Sequence, residues 1–359
     1  MRYLVCLLGL ILALPILAIL SLALGLPITV SGIGYLLGSA LAIAGLILFP
    51  WAGKNSLWLT MIGVVLMAFI VGARLILSTT ETTANIRMIT LPENKKTQWI
   101  NTLIDEQDML ILGEALFHLI GGDSPTEHQN LAVALRKDYA EIKAVQGVFP
   151  SPILSTYLNL QRADGFDAVI IKPETDHRAE FALVFLHGYM GNVTAQCWEI
   201  AQAVKRFGAA TICPSTDWRG DWWQPEGQRI LQATFEYLRG QEIQNFYLGG
   251  FSNGGISIGR FASNLKDEKG LIGLILSDGF DNGAGIKELG VPVLMLQGAQ
   301  DERIPASYAR QFAEEIGGLG TYVEMDGDHF LIMKQSRQVQ NALAKWLETQ
   351  ESRRQAAGR

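Results

Sequence analysis

Three residues of this chain have the types and order needed to activate a hydroxyl as a nucleophile. Ser252 sits in Gly250-Phe251-Ser252-Asn253-Gly254, a G-x-S-x-G that follows the strand-like run 245–249. Asp301 ends Gly298-Ala299-Gln300-Asp301, and His329 ends Gly327-Asp328-His329. A serine hydroxyl attacks an acyl carbon poorly until a histidine takes its proton and a carboxylate orients that histidine. G-x-S-x-G alone is weak; followed in order by an acid and a histidine it becomes specific. Two acids compete with Asp301. Asp278 follows the preceding strand-like run, and Asp328 adjoins His329, where neighbouring side chains rarely face each other. His187, in Leu183-Val184-Phe185-Leu186-His187-Gly188-Tyr189-Met190-Gly191, is the rival base.

The elements around these residues alternate. Ser155–Leu160 and Phe166–Ile171 flank Ala163-Asp164-Gly165, which reads as a hairpin. Apolar runs follow at Ala182–Leu186, Ala209–Cys213, Phe246–Gly249, Leu271–Leu276, Val291–Leu296 and Thr321–Met325. Helical patterns separate them at Cys197–Arg206, Glu226–Arg239, Asn253–Asn264, Ala306–Glu315 and Ser336–Glu348. Runs apolar on both faces suit buried parallel strands, so an α/β doubly wound, mostly parallel sheet is expected, with ligands at the carboxyl ends of its strands. Ser252 then lies on a strand-to-helix turn, where Gly250 and Gly254 allow close approach.

With these motifs, residues 151–349 resemble the α/β-hydrolase fold family, in the style of small bacterial esterases and dienelactone-hydrolase-like proteins. The resemblance covers a little over half of the chain. It implies Ser252 as nucleophile, His329 as general base and Asp301, in a G-x-x-D-x-x-I-P stretch, as the acid that fixes the tautomer of His329. It also implies an oxyanion hole from the backbone N–H groups of Tyr189 and Asn253, with His187 and Gly188 supporting that loop. Only about 14 residues separate Ser277 from Val291, which leaves no room for the cap domain many relatives insert there. The loop Ser215–Trp223 follows a strand, and its Trp218, Arg219, Trp222 and Trp223 are candidate substrate contacts: an aromatic wall and an anion clamp, or equally packing onto the sheet or a bilayer surface. Asn192-Val193-Thr194 matches a glycosylation acceptor but falls within the site loop.

The first 77 residues are of another kind. They hold three of the 29 Lys and Arg and none of the 35 Asp and Glu, so the remainder has 26 bases against 35 acids, a formal −9. That balance argues against a nucleic-acid surface. Apolar runs at about Tyr3–Leu26, Ile28–Phe49 and Leu57–Ile76 each approach the ~20 residues that cross a bilayer, so about three transmembrane helices are expected. A signal peptide or buried soluble helices fit this length and near-absence of charge less well. Gly34 and Gly38 form a G-x-x-x-G, a frequent chance pattern. Arg2 and Lys54 favour an inside N-terminus and an extracytoplasmic main domain, whereas Arg74, Arg87, Lys95 and Lys96 counted alone favour the opposite.

Between these parts, residues 78–150 read as a polar linker and a helical connector. One helical pattern spans about Glu93–Ile120; the next starts at Ser124 as N-cap, Pro125 and Glu127 and runs to Val145. Its role is open: spacer, cover for the site, or packing for the membrane part. His118 and His128 lack a partner motif. Residues 350–359 read as a polar tail. Cys6, Cys197 and Cys213 make no disulfide framework; Cys197 and Cys213 could pair, though nothing in the spacing requires it, and buried free thiols are the simpler expectation. No spacing suggests a metal, and none of the chemistry needs a cofactor. The expectation is a membrane-anchored serine hydrolase of esters, thioesters or related acyl bonds, with a small-molecule or lipid acyl substrate and the bilayer as partner. A serine peptidase on the same fold and a catalytically inactive binding or sensor module are the alternatives. A transporter is disfavoured by the absence of ionisable residues in mid-membrane.

Overall fold

The computed structural model describes residues 2–23, 26–78, 85–93, 98–119, 125–173 and 180–357. The chain divides into two compact units: residues 1–79, 102–143 and 147–150, and residues 80–101, 144–146 and 151–359.

The first unit is helical. Helix α1 spans Arg2–Ala23, α2 Val30–Ala52 and α3 Leu57–Leu77. Among the described residues, two segments are long and apolar enough to cross a membrane by length and composition, Tyr3–Ala23 and the 48-residue stretch Val30–Leu77. The second doubles back on itself: α2 ends at Gly53, whose φ of 58° suits glycine, and α3 starts after one short 3₁₀ turn. Here α2 and α3 meet closely enough that a Cβ on Gly63 would lie 2.3 Å from the Gly38 carbonyl oxygen. Gly38, of the G-x-x-x-G, therefore sits at a helix crossing. Leu4, Leu14, Leu17, Trp51, Trp58, Phe69 and Ile76 point outwards.

Helices α4 (Glu106–Leu119) and α5 (Pro125–Gln146) follow; Ser124, the expected N-cap, lies outside the described residues. The connector is bonded to the ends of the apolar helices. Thr29, the N-cap of α2, donates its N–H to Asp108 Oδ1 at 2.8 Å and its hydroxyl to Oδ2 at 2.5 Å. Tyr35 donates to Leu103 O at 2.7 Å, and Arg74 Nε to Thr102 O at 2.7 Å. Of the three roles open from sequence, packing for the apolar helices is the one these bonds support.

The second unit is an eight-stranded sheet. In chain order its elements are β1 (Ile86–Leu91), α6 (Ile153–Tyr157), β2 (Phe166–Ile171), β3 (Ala182–Leu186), α7 (Thr194–Val204), β4 (Ala210–Pro214), α8 (Pro225–Gly240) and β5 (Phe246–Phe251). Then come α9 (Asn253–Arg260), β6 (Leu271–Ser277), α10 (Gly283–Lys287), β7 (Val293–Gly298), α11 (Ala306–Ile316), β8 (Gly320–Met325), α12 (Leu331–Lys334) and α13 (Ser336–Ala357). The strand order is β1-β2-β4-β3-β5-β6-β7-β8, antiparallel from β1 to β4 and parallel beyond. This is the α/β-hydrolase arrangement. Every residue of β2 to β5 and of β7 is buried, which is why those runs are largely apolar rather than alternating, with Asp167, Thr211 and Gln297 as buried polar exceptions. Between β6 and β7 stands only α10, with no cap domain.

Four expectations need correction. Residues 86–91, which the sequence suggests are linker, form the edge strand β1, in register from Ile86↔Ile171 to Leu91↔Phe166. Conversely, 155–160 is not the hairpin partner of β2; the chain there forms α6 and an irregular turn. The reason is a buried carboxylate. Asp167 on β2 accepts from Thr90 Oγ1 (2.9 Å), Asn101 Nδ2 (2.8 Å), Ser155 Oγ (2.9 Å) and Gln161 Nε2 (3.1 Å). Four donors from β1, α6 and the two loops converge on one charge, which a strand at 155–160 would not permit. Third, residues 350–357 are the end of α13, and Glu351 accepts from Tyr247 Oη at 2.7 Å. Fourth, Cys197 on α7 and Cys213 on β4 are joined by a disulfide, Cα–Cα 6.1 Å; Cys6 is free and buried.

Replacing Asp167 with leucine strands several buried donors. The expected loss of unfolding free energy is roughly 3 kcal/mol or more in urea titrations of the detergent-solubilised protein, with a smaller loss for Asp167→Asn, which keeps an acceptor.

Candidate active site

Ser252 stands between the last residue of β5 and the first of α9, with φ 51° and ψ −120°. Few L-residues adopt this conformation. The turn is held by Ser252 N–H to Ser277 O at 2.8 Å, and Ile256 N–H to Ser252 O at 3.0 Å starts the helix. Both motif glycines are required by close approach. A Cβ on Gly250 would lie 2.5 Å from the Gly254 carbonyl carbon, and one on Gly254 2.3 Å from Leu186 O. The elbow thus packs α9 directly onto β5 and β3, and aims the Ser252 side chain away from the sheet at its carboxyl edge.

His329 lies between β8 and α12, buried, and reaches Ser252 Oγ with Nε2 at 2.9 Å. Its Nδ1 is 2.8 Å from Asp301 Oδ2. Burial alone would raise the Asp301 pKa, but the bond to the His329 ring, the charge of that ring and the backbone N–H groups of Ile304 and Arg303 together bring it below the ordinary value. These two N–H groups donate to Asp301 Oδ1 at 2.9 and 2.8 Å. An ionised Asp301 only accepts, so Nδ1 of His329 carries the proton and Nε2 is left to accept from the Ser252 hydroxyl.

The rival groups are engaged elsewhere. Asp278 accepts from Gly298 N (2.9 Å) and Ser277 Oγ (2.8 Å), and full burial pushes its carboxyl well up. Asp328 pairs with Lys334 and accepts from Phe330 N at 3.0 Å. His187 is buried and bonded on both sides: Nε2 accepts from Thr216 N at 3.1 Å, which leaves Nδ1 to donate to Gly188 O at 2.8 Å. Desolvation lowers its pKa to about 4, so it is neutral. It holds the loop after β3 and does not face Ser252. A Cβ on Gly188 would be 3.0 Å from Ser252 Cβ and 3.2 Å from Asn253 N, which puts this loop against the elbow. Among the described residues, no hydrogen bond engages the backbone N–H of Tyr189 or Asn253. Asn192 is buried, with Nδ2 donating to Cys213 O at 2.6 Å.

The loop after β4 divides into structural and exposed parts. Trp222 is fully buried, and its Nε1 donates to His187 O at 2.9 Å, so it is out of reach of substrate. Trp223 is partly buried against the core, under the Arg260 guanidinium 4.2 Å from its ring centroid. Arg219 pairs with Asp221 at 3.1 Å, and its carbonyl accepts from Asn253 Nδ2 at 2.8 Å, so the loop is tied to the elbow through its backbone. Trp218 is exposed and meets the exposed ring of Tyr189 edge-on at 6.0 Å. The role of Trp222 was hidden in the sequence because a tryptophan in a loop reads the same whether it packs or lines a site.

No protein-family model and no curated protein sequence matches the chain. Similar solved structures cover about half of it. Est1E from Butyrivibrio proteoclasticus is 15% identical over 52% of this chain and 95% of its own, TM-score 0.45. An α/β serine hydrolase without lid from Xanthomonas campestris is 19% identical over 53% and 91%, TM-score 0.42. A thermophilic esterase from Thermogutta terrifontis is 17% identical over 52% and 95%, TM-score 0.42. At these values the fold assignment rests on the strand order and elbow described above.

The burial of neutral His187 has a pH signature. Unfolded, it binds a proton near pH 6.5; folded, only near 4. The unfolded state therefore binds more protons in that window, and stability falls on acidification through it. His187→Gln should lose about 2 kcal/mol less than wild type between pH 7 and pH 5, measured by urea titration at both.

Proposed function

We propose that the chain is a membrane-anchored serine hydrolase that cleaves a carboxylic ester, thioester or related acyl bond. The observation that carries this reading is the hydrogen-bonded line from Asp301 through His329 to Ser252, 2.8 and 2.9 Å. Ser252 Oγ attacks the acyl carbon while its proton passes to His329 Nε2. The oxyanion is received by the N–H groups of Tyr189 and Asn253, each worth roughly 2.7–4 kcal/mol in the transition state. Collapse expels the leaving alkoxide or thiolate, which takes the proton, and an acyl-Ser252 ester forms. Water then adds to that ester, giving its proton to His329, and returns Ser252. Asp301 stays ionised throughout and stabilises the imidazolium.

The exposed pair Tyr189 and Trp218 beside the oxyanion loop favours an apolar or aromatic group on the substrate. Anchoring is supported by the large apolar side chains that face outwards from α1, α2 and α3, a surface expected in lipid and not in water. The Cys197–Cys213 disulfide favours an oxidising compartment, outside the cytoplasm, for the sheet unit. Arg74, one of the four basic residues that together favour the opposite side, is buried in protein contacts and is a poor topology signal.

Initial rates on p-nitrophenyl esters and on peptide anilides test the reading. Ester hydrolysis should fall on the order of 10⁶-fold in Ser252→Ala and about 10⁴-fold in Asp301→Asn. Trp218→Ala should raise KM for aryl esters several-fold at unchanged kcat. Equal ester rates in wild type and Ser252→Ala would remove the proposal, and faster anilide cleavage would move it to a peptidase. For topology, a periplasmic-type phosphatase fused ahead of β1 should be active and a cytoplasmic fluorescent reporter at the same point dark; the reverse would place the domain inside.

A further inference from the structure

We propose that the helical unit holds a binding site for an amphiphile: one acyl chain with an anionic head, a carboxylate or a phosphate monoester. A cavity of about 510 Å³ opens beside α2 and α3, within the range of small-molecule sites. Its walls are apolar, from Val30 and Gly34 on α2 and Leu66, Phe69, Ile70 and Ala73 on α3. At Gly34 the wall is tight, since a Cβ there would stand 2.5 Å from Ile70 Cδ1, so the α2 backbone lies against the α3 side chains. Such walls suit a hydrocarbon chain.

The charged residues of the lining, Arg74, Lys143 and Asp105, are clustered, Asp105 Oδ2 lying 3.5 Å from Arg74 Nη1 and 3.2 Å from Lys143 Nζ. Arg74 is only 5% exposed. Its Nε donates to Thr102 O, and its Nη1 lies 3.1 Å from Ser31 Oγ and 3.5 Å from Asp105 Oδ2. Its Nη2 is buried without a hydrogen-bond partner among the described residues. Lys143 Nζ is 3.2 Å from the same Asp105 oxygen and 2.9 Å from Gln107 Oε1. Two cations thus share one lining carboxylate. The nearby Asp108 does not line the cavity, and both its oxygens are taken by Thr29. A buried guanidinium with an unfilled donor, beside a second cation and above an apolar cavity, is the complement of an anion carried on a hydrocarbon chain. The inference uses the bilayer reading of α1–α3 only for the supply of ligand, and it is independent of the Ser252 chemistry.

The test uses full-length protein, delipidated in a neutral detergent, titrated with palmitate, palmitoyl-lysophosphatidic acid or hexadecanol and read by native mass spectrometry. One equivalent of an anionic lipid should bind, and hexadecanol should bind at least about 10-fold more weakly. A preference for palmitate identifies a fatty acid, and one for the lysophosphatidate a phospholipid. Excess inorganic phosphate should not displace either, because the chain supplies part of the affinity. Arg74→Gln should weaken binding about 10-fold or more. Lys143→Gln, outside the apolar helices, and Ala73→Phe, which fills the cavity, should weaken it too. They decide the matter if Arg74→Gln fails to elute as a folded monomer. No lipid bound, equal binding of hexadecanol, displacement by phosphate alone or unchanged affinity in the folded variants would overturn the site. Fluorophosphonate labelling of Ser252 on the same samples separates that failure from failure of the hydrolase reading.

Discussion

The alignment of His329 between Ser252 and Asp301 is the constraint on which the sheet unit depends. The three residues come from turns after β5, β7 and β8, and only parallel strands bring all those carboxyl ends to one edge. Bonds of 2.8 and 2.9 Å leave little tolerance in where those strands end. Two further contacts set the register. Ser252 N–H is bonded to the end of β6, and Gly298 N–H at the end of β7 is bonded to buried Asp278. Asp278, whose carboxyl burial pushes well up, thereby shapes the turn that presents Asp301 and does not itself bond His329 among the described residues.

The elbow is strained, on the order of 1–3 kcal/mol for a non-glycine residue at positive φ. That strain is held by packing that tolerates no Cβ at Gly250 or Gly254. The loop facing the elbow is fixed differently, through polar groups. His187 bonds Thr216 and Gly188, and Trp222 bonds the His187 carbonyl. A neutral histidine and an indole N–H therefore hold the loop after β3 without placing a charge beside Ser252. In the helical unit, by contrast, the buried Arg74 guanidinium keeps a donor, Nη2, without a partner among the described residues.

Much of this was legible in the sequence because it follows from short-range rules. The apolar runs from Ala182 onwards predict strands to within two or three residues, since a strand buried on both faces is a continuous apolar run. Ser252, Asp301 and His329 stand where motif order suggests, because each motif occupies a strand end. What escaped depended on long-range pairing. Ile86-Arg87-Met88-Ile89-Thr90-Leu91 alternates in burial only over its first four residues, it follows a threonine-rich polar run, and its partner β2 is 80 residues away. The segment 155–160 has strand-like composition, but Ser155 and its neighbour Gln161 serve the Asp167 carboxylate instead. The pairing of Cys197 with Cys213 required knowing that α7 packs beside β4, which spacing alone does not state.

The most direct measurement is the intact mass of the purified protein after exposure to a fluorophosphonate, with the modified peptide sequenced. A single phosphonyl adduct on Ser252, absent from Ser252→Ala and formed far more slowly in His329→Ala, is the predicted result. A folded wild-type protein that gains no adduct, or gains it at another residue, would contradict an activated Ser252.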